Sequence, residues 1–161
     1  MKQSNGYSRA QIVLHWGVVL LLIASYVSHE AMKDSWRALR RGTEASGLGT
    51  AVHVWVGVTI LVLSLARLAL RARYGAPALP EGGNPILDLV AKLTHVALYA
   101  LIVLIPASGI AAWFGGLSAA GDAHELMFNL LVAVAGLHVA GALYHQFVLR
   151  DGLMDRMRKP G

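Results

Sequence analysis

Four long apolar runs dominate the chain: Ile12–Val27, Val52–Leu70, Val96–Phe114 and Leu126–Leu149. Crossing the hydrocarbon core of a bilayer takes about 20 mostly apolar residues as a helix. With their ends extended, the runs predict helices at about 9–31, 48–73, 86–115 and 122–149. The stretches between them are polar or rich in Gly and Pro: KDSWRALRRGTEASGLG, RARYGAPALPEGGNP and the short GGLSAAGD. No internal repeat, low-complexity tract or soluble domain interrupts the pattern. The expectation is an all-α fold, an integral membrane four-helix bundle formed by one domain over residues 1–161.

Composition agrees with the pattern. Of the 161 residues 56% are hydrophobic and only 14% charged, against about 25% charged in an ordinary soluble domain. There is no cysteine, which excludes disulfides, iron–sulfur clusters, thiolate metal sites and the C-x-x-C-H attachment of a c-type haem. A metal or haem would have to be held by His, Met or carboxylates. The N-terminal run carries His15 and Trp16 and lacks a small-x-small cleavage site at its end, so it reads as a retained membrane helix and not as a signal peptide.

A formal net charge of +5 would suit a nucleic-acid partner, but the basic residues fall at span boundaries and not on a soluble face. No nucleic-acid partner is expected. The charges report topology instead, because Lys and Arg accumulate on the cytoplasmic side. With both termini cytoplasmic, that side collects Lys2, Arg9, Arg67, Arg71, Arg73, Lys92, Arg150, Arg156, Arg158 and Lys159. Only Lys33, Arg37, Arg40 and Arg41 remain outside. These four make the first outer loop basic, against the rule. Either acidic neighbours such as Glu30, Asp34 and Glu44 balance them, or they form an electropositive mouth that draws in an anion.

Ionisable or metal-binding side chains inside spans are costly and mark functional sites, and this chain has seven histidines. On the fourth helix His124 and His138 are 14 residues apart, nearly four turns, so they share a face about 21 Å apart along the axis. That separation suits two stacked haems, each iron taking a second imidazole from another helix at the same depth. Depth pairs His53 with His124 on the outer side and His15 with His138 on the inner side. The expected cofactors are two bis-histidine haem groups, with these four residues as axial ligands to iron. Gly17, Gly57, Gly136 and Gly141 would leave room for a flat macrocycle; their other role would be close packing of helices. His145, seven residues after His138, is too near for a third haem on that face. His29 has no assigned role, and Pro106 interrupts the third span.

The segments SRAQIVLHW, VHVWVGVTILVLSLARLALR, THVALYALIVLIPASG and HELMFNLLVAVAGLHVAGALYHQF, in that order, resemble the bacterial cytochrome b561 family. These are four-helix cytochromes of the inner membrane that carry two haem b groups. The likeness runs from Ser8 to about Met154. It implies a multi-pass inner-membrane electron carrier working between a periplasmic one-electron donor and ubiquinone, and one activity of the family is oxidation of superoxide to oxygen with ubiquinone as acceptor. On that basis the chain is expected to be an oxidoreductase of the superoxide:ubiquinone type. An anionic donor would be drawn to Lys33, Arg37, Arg40 and Arg41. His145 would relay protons to the quinone, with Arg71, Arg73 and His95 lining the same inner site. Arg67 would pair with a haem propionate or snorkel to the surface. The alternatives are an anchor subunit for a larger redox enzyme, and a His-lined metal or proton transporter. The spans lack the paired acidic residues that transport pathways often use.

Overall fold

The structure, a computed structural model, describes residues 6–44, 47–77 and 84–161. Among these residues four helices are long and apolar enough to cross a membrane, and no strand occurs. They are α1 (Arg9–Arg40), α2 (Leu48–Tyr74), α3 (Pro85–Gly115) and α4 (Ser118–Tyr144). A π-helical turn, His145–Leu149, and a 3₁₀ turn, Leu153–Met157, complete the chain. Lys2 of the charge tally lies outside the described residues.

The ends are set by local chemistry. Ser8 and Gln11 form a reciprocal capping box at the start of α1, satisfying two backbone donors that would otherwise lack partners. Asn84 caps α3 through its side chain, with Pro85 in the first turn, where its missing N–H costs nothing. Gly116 then adopts the left-handed conformation (φ 67°) that stops α3, so α3 and α4 are joined by a very tight connection.

The first helix is longer than the pattern predicts. It continues through KDSWRALR to Arg40, nine residues past the expected end, because that stretch consists largely of good helix formers and meets no Gly or Pro before Gly42. At 32 residues it is about 48 Å long, well beyond a hydrocarbon core of about 30 Å. The extension is also held tertiarily. Buried Ser35 and Thr50 exchange a 2.6 Å hydroxyl hydrogen bond, and Trp36 packs on Gly121 so closely that an added Cβ there would come within 2.8 Å of the indole. Lys33, Arg37 and Arg40 therefore stand on a projecting helix and not in a loop, with Arg41 at its cap. On α4, regular α geometry ends at Tyr144, and His145 opens the π-turn.

Helix α1 packs on α2, α2 on α3 and α3 on α4, while α1 and α2 each approach α4 closely at few points. A small core of Leu101, Ile102, Ile105 and Leu131 ties α3 to α4. Elsewhere large apolar side chains point outward, including Leu20, Ile23 and Val27 on α1, Val62 and Leu65 on α2, and Leu126 and Leu130 on α4. Facing water, such a surface would drive aggregation; facing lipid tails it is the ordinary exterior of a membrane bundle. The bundle leaves its interior open along α4, and the histidines gather there.

Candidate haem sites

At the end of the bundle away from the termini, His53 of α2 and His124 of α4 face each other with ring centroids 6.3 Å apart. At the other end His15 of α1 and His138 of α4 are 6.5 Å apart. A metal–imidazole bond is about 2.0–2.1 Å and the ring centre lies about 1 Å behind the nitrogen, so two imidazoles on one metal have centroids about 6–6.5 Å apart. Both pairs match. His95 lies only 5.1 Å from His138, too close for an iron between them.

The His53–His124 pair, at the end away from the termini and here called the outer pair, is also arranged for ligation by its hydrogen bonds. His53 Nδ1 lies 3.1 Å from the Ser25 carbonyl and His124 Nδ1 2.7 Å from the Ile105 carbonyl. A carbonyl only accepts, so each Nδ1 carries the proton and each Nε2 keeps its lone pair for a metal. Ser28 and Ser108 add a hydroxyl oxygen at 3.4 Å to the same nitrogens. The arrangement repeats: a carbonyl and, three residues later, a serine on α1 for His53 and on α3 for His124. Gly109 makes the second contact possible, since a Cβ there would lie 3.0 Å from both Cε1 and Nδ1 of His124. Pro106 lies between Ile105 and these residues within continuous α3, is buried, and lines the same cavity.

That cavity, about 180 Å³, is bounded by His53, Gly57, Ile60, Pro106, Gly109 and His124, and is also lined by His29, Lys33 and Trp36. A Cβ added at Gly57, one turn from His53, would meet nothing within 4 Å, and the same is true at Gly17, Gly136 and Gly141. These four glycines do not bring helices together. Close helix approach is made instead at Gly49, where a Cβ would sit 2.6 Å from Ala31, and at Gly121. The bare helix face and free space beside the outer histidines fit a flat macrocycle. His29, Tyr26 and Phe128 form a triangle of rings, with centroids 5.8, 5.9 and 6.1 Å apart.

The inner pair is held differently. Arg67 Nη2 is 3.0 Å from His15 Nδ1, and a guanidinium only donates, so neutral His15 carries its proton on Nε2. The spacing fits an iron, and ligation through Nε2 requires that proton to move to Nδ1 and Arg67 to find another acceptor. Arg67 and Arg71 both lie over the Tyr99 ring, at 5.6 and 5.4 Å, and line a small pocket with Tyr7, Gln11 and Met157.

The residues expected around a quinone are each engaged with a different partner. Arg71 stands on Tyr99, Arg73 on its neighbour Tyr74 at 5.5 Å, and His95 against His138. His145 Nδ1 is 2.6 Å from Asp151 Oδ2, a partner that sequence spacing did not reveal. Burial pushes the Asp151 carboxyl up, but hydrogen bonds from His145 and from the Leu153 N–H outweigh it and hold the group below the usual carboxylate range. The C-terminal strap is further fixed by Trp16, whose indole N–H donates to the Met157 carbonyl at 3.0 Å. At the opposite end the basic residues of α1 are largely paired: Lys33 with Glu30 and Glu125, Arg37 with Asp34, and Arg40 with Asp122. The balance anticipated from Glu30 and Asp34 is thus joined by two carboxylates of α4.

The family model of prokaryotic cytochrome b561 matches residues 6–160. The chain belongs to the prokaryotic cytochrome b561 family. It is therefore a haem b membrane electron carrier and a multi-pass bacterial membrane protein. It is 40% identical to cytochrome b562 of Cereibacter sphaeroides, covering 99% of each chain. It is also 29% identical to a probable superoxide oxidase, CybB, of Yersinia pestis, covering 94% of each. Cytochrome b561 homolog 1 of Escherichia coli K12 is 25% identical over 95% of this chain and 97% of its own. In this cytochrome His53 faces His124 and His138 faces both His15 and His95, and among the described residues no three His, Asp or Glu side chains converge on one point as a bare metal site would require.

Proposed function

We propose that the chain, acting as one domain of the bacterial inner membrane with both termini cytoplasmic, carries electrons from a periplasmic one-electron donor to ubiquinone, and that the donor is superoxide. The observation that carries the proposal is the occurrence of two histidine pairs, at metal-bridging distance, on opposite halves of one bundle. The distribution of Lys and Arg supports the orientation, and similarity to a probable superoxide oxidase supports the donor.

His53 and His124 would hold the outer haem and His15 and His138 the inner one; when bound, each supplies a one-electron iron couple whose potential follows ligation, burial and nearby charge. The chain does the rest. Ser25 and Ile105 orient the outer imidazoles through their carbonyls. Lys33, shared between Glu30 and Glu125, lines the outer cavity with Trp36 and Phe128, and with Arg37, Arg40 and Arg41 on the same projecting helix it would draw the anionic donor toward that end. Arg67 and Arg71 offer guanidinium donors to carboxylates at the inner end. Two superoxide anions surrender one electron each and leave as oxygen; ubiquinone takes up both electrons and two protons to become ubiquinol. His145, at the inner end of α4, supplies the protons.

The first measurement is the haem-to-polypeptide ratio of detergent-purified protein, followed by superoxide-dependent ubiquinone reduction in liposomes. Two b-type haems per chain and turnover abolished by superoxide dismutase are expected. Absence of haem in protein from haem-replete cells would overturn the carrier proposal, and loaded protein inert to superoxide would overturn the donor. His145→Ala is expected to retain both haems while slowing ubiquinone turnover about tenfold or more; loss of a haem would instead make His145 an axial ligand.

A further inference from the structure

The turn after α4 is unusual. His145 opens a π-helical turn at the end of α4, a rare geometry frequent at functional sites. The chain then reverses through Arg150, the only described non-glycine residue with positive φ (52°), and Gly152 (φ 72°). The reversal returns Asp151 to His145, six residues earlier, with both carboxylate oxygens engaged: Oδ2 at 2.6 Å from His145 Nδ1 and Oδ1 accepting the Leu153 N–H at 3.0 Å. Both side chains are about four-fifths buried, with exposures of 19% and 20%. L side chains adopt the left-handed conformation only at a cost, and here the turn is held by the His145–Asp151 contact together with Arg150 Nε donating to the Phe147 carbonyl at 3.3 Å. The Tyr144 ring stands edge-on to the imidazole at 6.3 Å.

We infer that Asp151 is a positioning residue for His145, fixing its ring orientation and keeping a proton on Nδ1 so that Nε2 is the atom that exchanges protons with the quinone. The inference rests on the quinone role of His145 given above. A carboxylate behind an imidazole performs this service wherever the far nitrogen must do chemistry, because it selects one tautomer and stabilises the imidazolium. In each delivery the Nε2–H bond breaks and an O–H bond forms on the quinone, while His145 stays Nδ1-protonated against Asp151. A proton from the aqueous phase then returns to Nε2. Two deliveries, with the two electrons from the one-electron donor, balance the formation of ubiquinol. Without Asp151 the ring is free to turn, and the neutral tautomer with the proton on Nε2 has no lone pair there to recharge.

The test uses the haem-loaded full-length protein with Asp151→Asn, Asp151→Ala and Asp151→Glu, beside His145→Ala. Absorbance spectra and haem content establish that the variants are folded. Nitrogen-15 NMR of labelled histidine reports the His145 tautomer independently of turnover. Asp151→Ala and Asp151→Asn are expected to lose the Nδ1–H signature and to lower kcat for ubiquinone reduction about tenfold with KM little changed; Asp151→Glu should restore part of both. An unchanged tautomer, or a full kcat in Asp151→Ala and Asp151→Asn while His145→Ala is slow, would overturn the inference. If His145→Ala turns over at the full rate, the quinone role of His145 falls, whatever the tautomer.

Discussion

Gly109→Val is expected to strip the outer haem while leaving the inner one in place. Even a single Cβ at this position would stand 3.0 Å from two atoms of the His124 ring, and valine adds two further methyls that α3, packed against α4, gives no room to turn away. The imidazole would lose its 2.7 Å bond to the Ile105 carbonyl, and with it the tautomer and direction that ligation needs. Haem content should fall from about two per chain to about one, with superoxide-driven turnover abolished. Gly109→Ala, which forces a shift of only a few tenths of an ångström, should keep the haem and move its potential. Redox-titrated absorbance spectra measure both effects; a Gly109→Val protein with full haem content would show that His124 is not the ligand.

His138→Ala is expected to have an effect as large at the opposite end. It removes the residue that faces both candidate inner partners, so the inner haem should be lost and electrons delivered outside should stop at the outer site, about 20 Å short of where the inner haem would sit. The partner is decided by a second comparison. His15, at 6.5 Å from His138, is spaced for a shared iron, while His95, at 5.1 Å, is not. His15→Ala should therefore lose the inner haem and His95→Ala keep it. The opposite result would reassign the pair, and measured haem stoichiometry with electron paramagnetic resonance of the remaining centre distinguishes the two.

These variants matter because they separate residues that resemble each other in sequence. Arg67 and Arg71 are one turn apart and both over Tyr99, yet only Arg67 has a hydrogen bond to a histidine. Glycines differ likewise. Gly57 leaves open space beside His53, Gly109 admits His124, and Gly121 seats Trp36. Nothing in their sequence neighbourhoods separates these uses, because a glycine's role depends on what the opposing helix brings to it.

Much of the architecture was legible along the chain. Four apolar runs of spanning length leave helices as the solution, since lipid offers no partner to an unpaired backbone group. A 14-residue spacing on a 3.6-residue helix puts two histidines on one face at fixed depths, and antiparallel connectivity assigns their partners: these depend only on rise per residue and chain direction. What required the folded chain were contacts between helices and around turns. The extension of α1 to Arg40 depends on Trp36 meeting Gly121 and Ser35 meeting Thr50. The carboxylate that pairs Arg40 and the second one that pairs Lys33 come from α4, Asp122 and Glu125, far along the chain. The tautomers of His53 and His124 are set by carbonyls of neighbouring helices, which no side-chain pattern encodes. Asp151 reaches His145 only because a π-turn and a left-handed residue reverse the chain. The sequence alone thus determined where the histidines stand along the bundle axis, because periodicity is a property of one helix; tertiary structure decided what each ring is hydrogen-bonded to, because a hydrogen bond needs two elements in register.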